Sequence, residues 1–292
     1  MKKQYVSLSV LLALAVLLCA CTASDGTSSA HSAESSAAER ILYTVEVATD
    51  GGMPLAEVRV DVYTDETLAN RIRASETDEN GTVSFEAEQS DGYVAVLSNL
   101  PYGFDTKQLF SITETTRISL KGNMRNGDDL SNATARLGDI VRDCTVTAVD
   151  GTEYKFSELL DTKKAIVLNF WFENCGPCKM EFPFLQKAYE AYSDDVIVLA
   201  INPLDGTKNS IAAYASDLGL TFPMAKGASS WAQYMSLNAY PTTVVIDRYG
   251  MICMRHGGGV TEEGVFEQIF AHFTADDYKQ QTFRNLSDLL GE

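Results

Sequence analysis

Two cysteines, Cys175 and Cys178, are separated by Gly176-Pro177 and followed at once by Lys179-Met180-Glu181. The apolar run 165–172 before them reads as a buried strand, and the pattern after them is helical. If Cys178 enters the first helical turn, Cys175 lies at the helix N-terminus, where unpaired amide N–H groups and the dipole favour thiolate. Cys175 Sγ then attacks a disulfide, and Cys178, close by and less exposed, resolves the mixed disulfide. Pro177 suits a helix start because its missing N–H has no partner there to lose. Glu181, one turn beyond Cys178, is placed to accept or relay the Cys178 proton, its own pKa raised by desolvation. A C-x-x-C pair also serves as half of a zinc site or as an inert structural disulfide. The further zinc-ligand candidates are Cys144, Cys253, His256 and His272, with no second close pair among them, so neither a metal nor another cofactor is expected beyond the redox-active Cys175–Cys178 disulfide itself.

The elements that must hold this pair are strands and helices in alternation. Residues 138–156 suggest a hairpin turning at Asp150-Gly151, with Ser157 capping a short helical turn. Buried strands are expected at 165–170, 196–201, 242–247 and 252–255. Between them, 179–192, 210–218, 229–235 and 261–273 carry helical spacing, with a kink expected at Pro183 and Thr261 a cap followed by acidic Glu262 and Glu263. The pattern predicts a mixed central sheet covered by helices on both faces.

The rest of the chain sets the context. Its 292 residues allow about two domains. A formal net charge of −17, from 40 acidic against 23 basic residues, excludes nucleic acid as a partner. Lys2 and Lys3 precede an apolar stretch, 10–18, that is too short to span a bilayer comfortably. It ends in Leu18-Cys19-Ala20-Cys21, which resembles a bacterial lipobox and implies that 1–20 is a signal peptide, Cys21 the lipidated first residue and 21–39 a flexible Ser/Ala/Thr-rich tether. An ordinary secretory signal peptide is the other reading, and either one puts the protein outside the cytoplasm. Four cysteines then remain, too few for a disulfide-stapled scaffold. They suit a catalytic pair plus two others, Cys144 and Cys253, read as buried thiols with a second disulfide between them left open.

Residues 40–121 alternate apolar and polar at 43–47, 58–63, 82–85, 93–97 and 116–120, with turns at Gly51-Gly52 and Asn80-Gly81. A small antiparallel β-sandwich is expected. Gly52-Met53-Pro54-Leu55-Ala56-Glu57-Val58-Arg59-Val60, with Thr77-Asp78-Glu79-Asn80-Gly81-Thr82-Val83-Ser84-Phe85, resembles the prealbumin-like or Cna B-type domains of surface proteins. Lys107 is the one lysine between Ile41 and Leu120, so the isopeptide crosslinks of some Cna B-type domains are not carried over. Residues 122–135, rich in Gly, Asn and Asp, read as the linker. Residues 136–274 form the second domain, and 275–292 a C-terminal helix or tail.

That second domain resembles the thioredoxin fold, and within it the TlpA/ResA-like thiol–disulfide oxidoreductases of the bacterial envelope. The resemblance is carried by Val167-Leu168-Asn169-Phe170-Trp171, by Cys175-Gly176-Pro177-Cys178-Lys179-Met180-Glu181-Phe182-Pro183 and by Tyr240-Pro241-Thr242-Thr243-Val244-Val245-Ile246-Asp247. It implies that Pro241 follows a cis peptide bond beside Cys175, that Tyr240 faces the dithiol, that Trp171 packs beneath the active-site loop and that Glu181 tunes the thiols. The family usually has Trp immediately before the first cysteine. Asn174 stands there instead, removing an aromatic wall, and Glu173 adds a negative charge that opposes ionisation of Cys175. The resemblance further implies protein or peptide disulfides as substrates, a reducing direction and a membrane electron donor. Two other readings are a surface interaction or structural lipoprotein built on the same scaffold, and a thiol peroxidase. The latter wants a threonine where Phe172 stands and no adjacent resolving cysteine.

Overall fold

The computed structural model describes residues 38–105 and 108–291. The expected signal peptide, Cys21, nearly all of the tether, and Lys107 lie outside the described residues. Residues 39–292 form one compact unit.

The first part is all β. β1 (Arg40–Thr49), β2 (Arg59–Tyr63), β3 (Arg71–Glu76), β4 (Thr82–Glu88), β5 (Val94–Ser98), β6 (Leu109–Ser111) and β7 (Thr115–Leu120) form two sheets, ordered β4-β1-β7 and β3-β2-β5-β6. The period of two in β1 turns Tyr43, Val45 and Val47 inward, where they meet Val60, Val62, Phe85 and Ile118. Tyr43 stacks on Phe85 at 5.5 Å between ring centroids. The expected antiparallel arrangement holds except at one edge: β7 runs parallel to β1, because the chain reaches it from the opposite sheet after β6. β3 and β6 carry no usable alternation. β3 is an edge strand exposed on nearly every residue, held by backbone pairing with β2 rather than by a buried face.

The second part begins with the β8 (Thr145–Thr147) and β9 (Glu153–Lys155) hairpin and α1 (Phe156–Leu160). Ser157 does not cap α1; Asp143 does the work from outside, accepting from Ser157 N and Ser157 Oγ at 2.9 Å each. β10 (Ala165–Phe170), α2 (Gly176–Tyr192), β11 (Val196–Asn202), α3 (Lys208–Asp217), β12 (Met224–Lys226), α4 (Ser230–Tyr234), β13 (Thr242–Asp247), β14 (Ile252–Gly257), α5 (Val265–Thr274) and α6 (Leu286–Leu290) follow. The sheet order is β12-β11-β10-β13-β14, with β10, β11 and β12 parallel and β13 and β14 antiparallel to their neighbours. Every residue of β10, β11 and β13 is buried, as a sheet covered on both faces requires. Val167 faces Phe182, Leu185 and Phe270 of α2 and α5, whereas Leu168 and Phe170 face Phe156 and Trp231 of α1 and α4.

Three helix ends differ from expectation. α2 begins at Gly176 and runs through Pro183, which lies on the exposed side. α3 starts two residues early under a Thr207–Ser210 capping box. α5 starts at Val265 behind Gly264 (φ +84°), not at Thr261, because the preceding residues are drawn off to the site: Gly258 N donates to Pro241 O and Val260 N to Glu181.

The 122–135 segment is not free chain, since Leu130, Ala133 and Ala135 are buried in the α/β core. The β sheets also join that core directly. Ile140 occupies the space where a Gly103 side chain would stand, with Gly103 at φ +94°. Tyr102 N donates to Asp139 Oδ1 at 2.9 Å, and Ile140 N to Tyr102 O at 2.8 Å. The C-terminal segment completes the join: Gln280 Nε2 donates to buried Asp247 at 2.8 Å while Thr49 of β1 donates to Gln280 Oε1.

Candidate active site

β10 delivers Trp171 to the end of the sheet, and the chain turns through Phe172-Glu173-Asn174 into α2. Cys175 is the helix N-cap, in extended conformation, and its Sγ accepts from Cys178 N at 3.1 Å. The two cysteines form a disulfide, Cα to Cα 5.3 Å. Cys175 is 3% exposed and Cys178 fully buried, so of the two only Cys175 keeps any solvent contact. Gly176, Pro177 and Asn174 are exposed around it. The Cys178 amide, in the first turn of a seventeen-residue helix, points at Cys175 Sγ, at the end where the helix dipole favours negative charge.

The cis bond expected at Tyr240-Pro241 is present. Pro241 O accepts from Gly258 N at 2.8 Å, and a Cβ added at the neighbouring Gly259 would make ordinary contact with Pro177 at 3.4 Å, so Gly259 faces Pro177. The cis-proline loop, the Gly257-Gly258-Gly259 run and the dithiol loop therefore form one border. Tyr240 meets Phe172 edge to face at 5.5 Å.

Trp171 is buried beneath the loop, stacked on Tyr214 at 5.1 Å and edge-on to Phe182 at 5.3 Å. Lys179 Nζ lies 5.4 Å over Tyr214 on its other approach.

Glu181 is fully buried on α2, one turn after Cys178. Burial pushes its pKa up to about 7; hydrogen bonds from Val260 N (3.0 Å) and Asn169 Nδ2 (2.8 Å) hold it from rising further. Asn169 and Thr243, also buried, are linked at 3.4 Å and complete the polar pocket inside the sheet. Asn169, Thr243 and the Val260 amide are site groups that motif reading alone passes over. The signal for the first was its polarity at an inward position of an otherwise apolar strand.

Cys144 and Cys253 are both buried free thiols and do not pair. Burial pushes Cys144 up to about 12, and burial beside Asp247 raises Cys253 well above the ordinary thiol value. Among the described residues, no three His, Cys, Asp or Glu side chains gather as a metal-ligand set, and no helix is long and apolar enough to cross a membrane.

A family model described as the AhpC/TSA family matches residues 137–254. The Thioredoxin-like protein YneN of Bacillus subtilis is 34% identical over 119 residues, 39% of this chain and 68% of that protein. The Thiol-disulfide oxidoreductase ResA of Halalkalibacterium halodurans is 31% identical over 136 residues, 46% of this chain and 75% of that protein. Among solved structures, a thiol:disulfide interchange protein of the thioredoxin family from Chlorobium tepidum aligns with 49% of this chain and 100% of its own, at 20% identity and a TM-score of 0.41.

Proposed function

The chain belongs to the thioredoxin-like family of thiol–disulfide oxidoreductases that includes ResA, and on that premise we propose that it reduces protein or peptide disulfides outside the cytoplasm. The observation that carries this reading is the Cys175–Cys178 disulfide at the start of α2, with Cys178 fully buried, Cys175 at the edge of the core and the cis-proline loop bordering it. Cys175 thiolate attacks one sulfur of the substrate disulfide, and the other sulfur leaves as a thiolate that takes a proton. Cys178 then loses its proton to Glu181 and attacks Cys175 Sγ, releasing the second substrate thiol and closing the Cys175–Cys178 disulfide. Two electrons pass to the substrate, and a membrane dithiol donor returns two to the enzyme. Gly176 and Pro177 shape the loop, Trp171 supports it from below, and Asn174, Tyr240 and Pro241 border the incoming chain.

Cys21 carries the lipid in this reading, residues 21–39 tether the protein to the membrane, and the β sheets of 40–121 act as a Cna B-type spacer or scaffold. The AhpC/TSA match favours thiol peroxidase as a second reading. Phe172 in place of threonine and the Cys175–Cys178 disulfide weigh against it. Insulin reduction that disappears in Cys175→Ser supports the reductase. Peroxide turnover without a dithiol substrate, or no turnover of either, overturns it in favour of the peroxidase or of a binding lipoprotein respectively.

A further inference from the structure

The border of the dithiol leads into a cleft of about 310 Å³ between the 256–265 segment and the C-terminal residues 285–290. Val260 and Val265 form one wall, Leu286 and Leu290 of α6 the other. The two leucines are one helical turn apart, so they share a face, and both are half-buried while Ser287 and Asp288 are exposed. Asn285 caps α6, accepting from Asp288 N at 2.9 Å, and just before it Phe283 N donates to Cys253 O at 2.7 Å, fastening the segment to β14.

The cleft is continuous with the active site. Gly259 belongs to its lining and faces Pro177 across the space an added Cβ would fill; Val260, also in the lining, donates its amide to Glu181. A polypeptide whose sulfur reaches Cys175 must run along this border, and the cleft lies next along it, its valine and leucine walls interspersed with His256, Thr261, Glu262, Asn285 and Ser287. Its size suits one or two side chains rather than a folded element, and the chain's net charge of −17 disfavours an acidic segment.

We propose that this cleft receives an apolar side chain of the substrate polypeptide beside the cysteine under attack, which makes Leu286 and Leu290 of α6 specificity-determining residues. The proposal rests on disulfide exchange at Cys175. It is tested with reduced full-length protein and two disulfide-linked peptide dimers, one with leucines and one with serines flanking the cysteine, and with glutathione disulfide as a small reference. Burying a leucine-sized side chain predicts a preference of about tenfold or more for the leucine peptide in the unaltered protein. That preference collapses in Leu290→Glu and in a chain ending at Arg284, while the rate with glutathione disulfide stays unchanged. Equal rates for the two peptides, or a preference that survives both variants, overturns the cleft's role and leaves the reductase standing. Failure of the unaltered protein on all three disulfides overturns the reductase reading and the cleft proposal together. A dimer that Leu290→Glu converts to monomer assigns the cleft to a second copy of the chain and overturns substrate docking.

Discussion

Asn169 of β10 donates a 2.8 Å hydrogen bond to Glu181 of α2, and both side chains are fully buried. The bond crosses from sheet to helix directly behind the dithiol loop. It holds a carboxyl group whose pKa burial has brought to about 7. In the proposed resolving step this is the group that takes the buried Cys178 thiol proton.

Replacing Glu181 by Gln should therefore slow the resolving step by about 10²-fold and remove its pH limb near neutrality, while single attack by Cys175 is spared. Rapid-quench trapping of the mixed disulfide checks this, with accumulation expected in the variant. Stability gives a second readout. Between the ordinary value of 4.5 and about 7, the folded protein keeps a proton that the unfolded chain has lost, so stability falls as pH rises through that window. Glu181→Gln should flatten that fall in denaturant titrations at pH 5 and about pH 7.

Asn169→Leu removes a hydrogen bond that favours the ionised carboxylate, so the pH limb assigned to Glu181 should move upward. The pH profile of insulin reduction measures it. An unmoved limb would assign the titration to another group.

The join between the β sheets and the α/β core centres on Asp247, whose Oδ2 accepts from Gln280, Tyr278 (3.0 Å) and Cys253 (3.3 Å). Gln280→Ala deletes the link that also reaches Thr49 and should cost about 1–3 kcal/mol, read as a lower urea midpoint. Cooperative loss of both parts in one transition is the accompanying expectation, because the contacts through Ile140 and Gln280 are buried.

Cys144 and Cys253 should resist alkylation in the folded protein, since burial raises both thiols and keeps the thiolate scarce. Mass mapping after brief iodoacetamide treatment should find label on Cys175 of the reduced protein and none on these two.

Much of this site is legible in the sequence because local chemistry and spacing define it: C-G-P-C after an apolar strand, a glutamate one turn on, and the distant Tyr240-Pro241. The α/β sheet is legible for the same reason, its strands being buried on both faces and so continuously apolar. Edge strand β3 is not, because neither face of Arg71–Glu76 is covered and no alternation is imposed on it. The late start of α5 is equally hidden: Thr261-Glu262-Glu263 is good capping chemistry, overridden by tertiary bonds from Gly258 and Val260 to the active site. The parallel β1–β7 pair depends on the path between sheets, which no local pattern encodes.

The reducing role is tested most directly by the equilibrium potential of the Cys175–Cys178 couple, read by thiol trapping in glutathione buffers. The account predicts a value close to that of thioredoxin, about −270 mV, whereas one near −120 mV would make the protein an oxidant and contradict it.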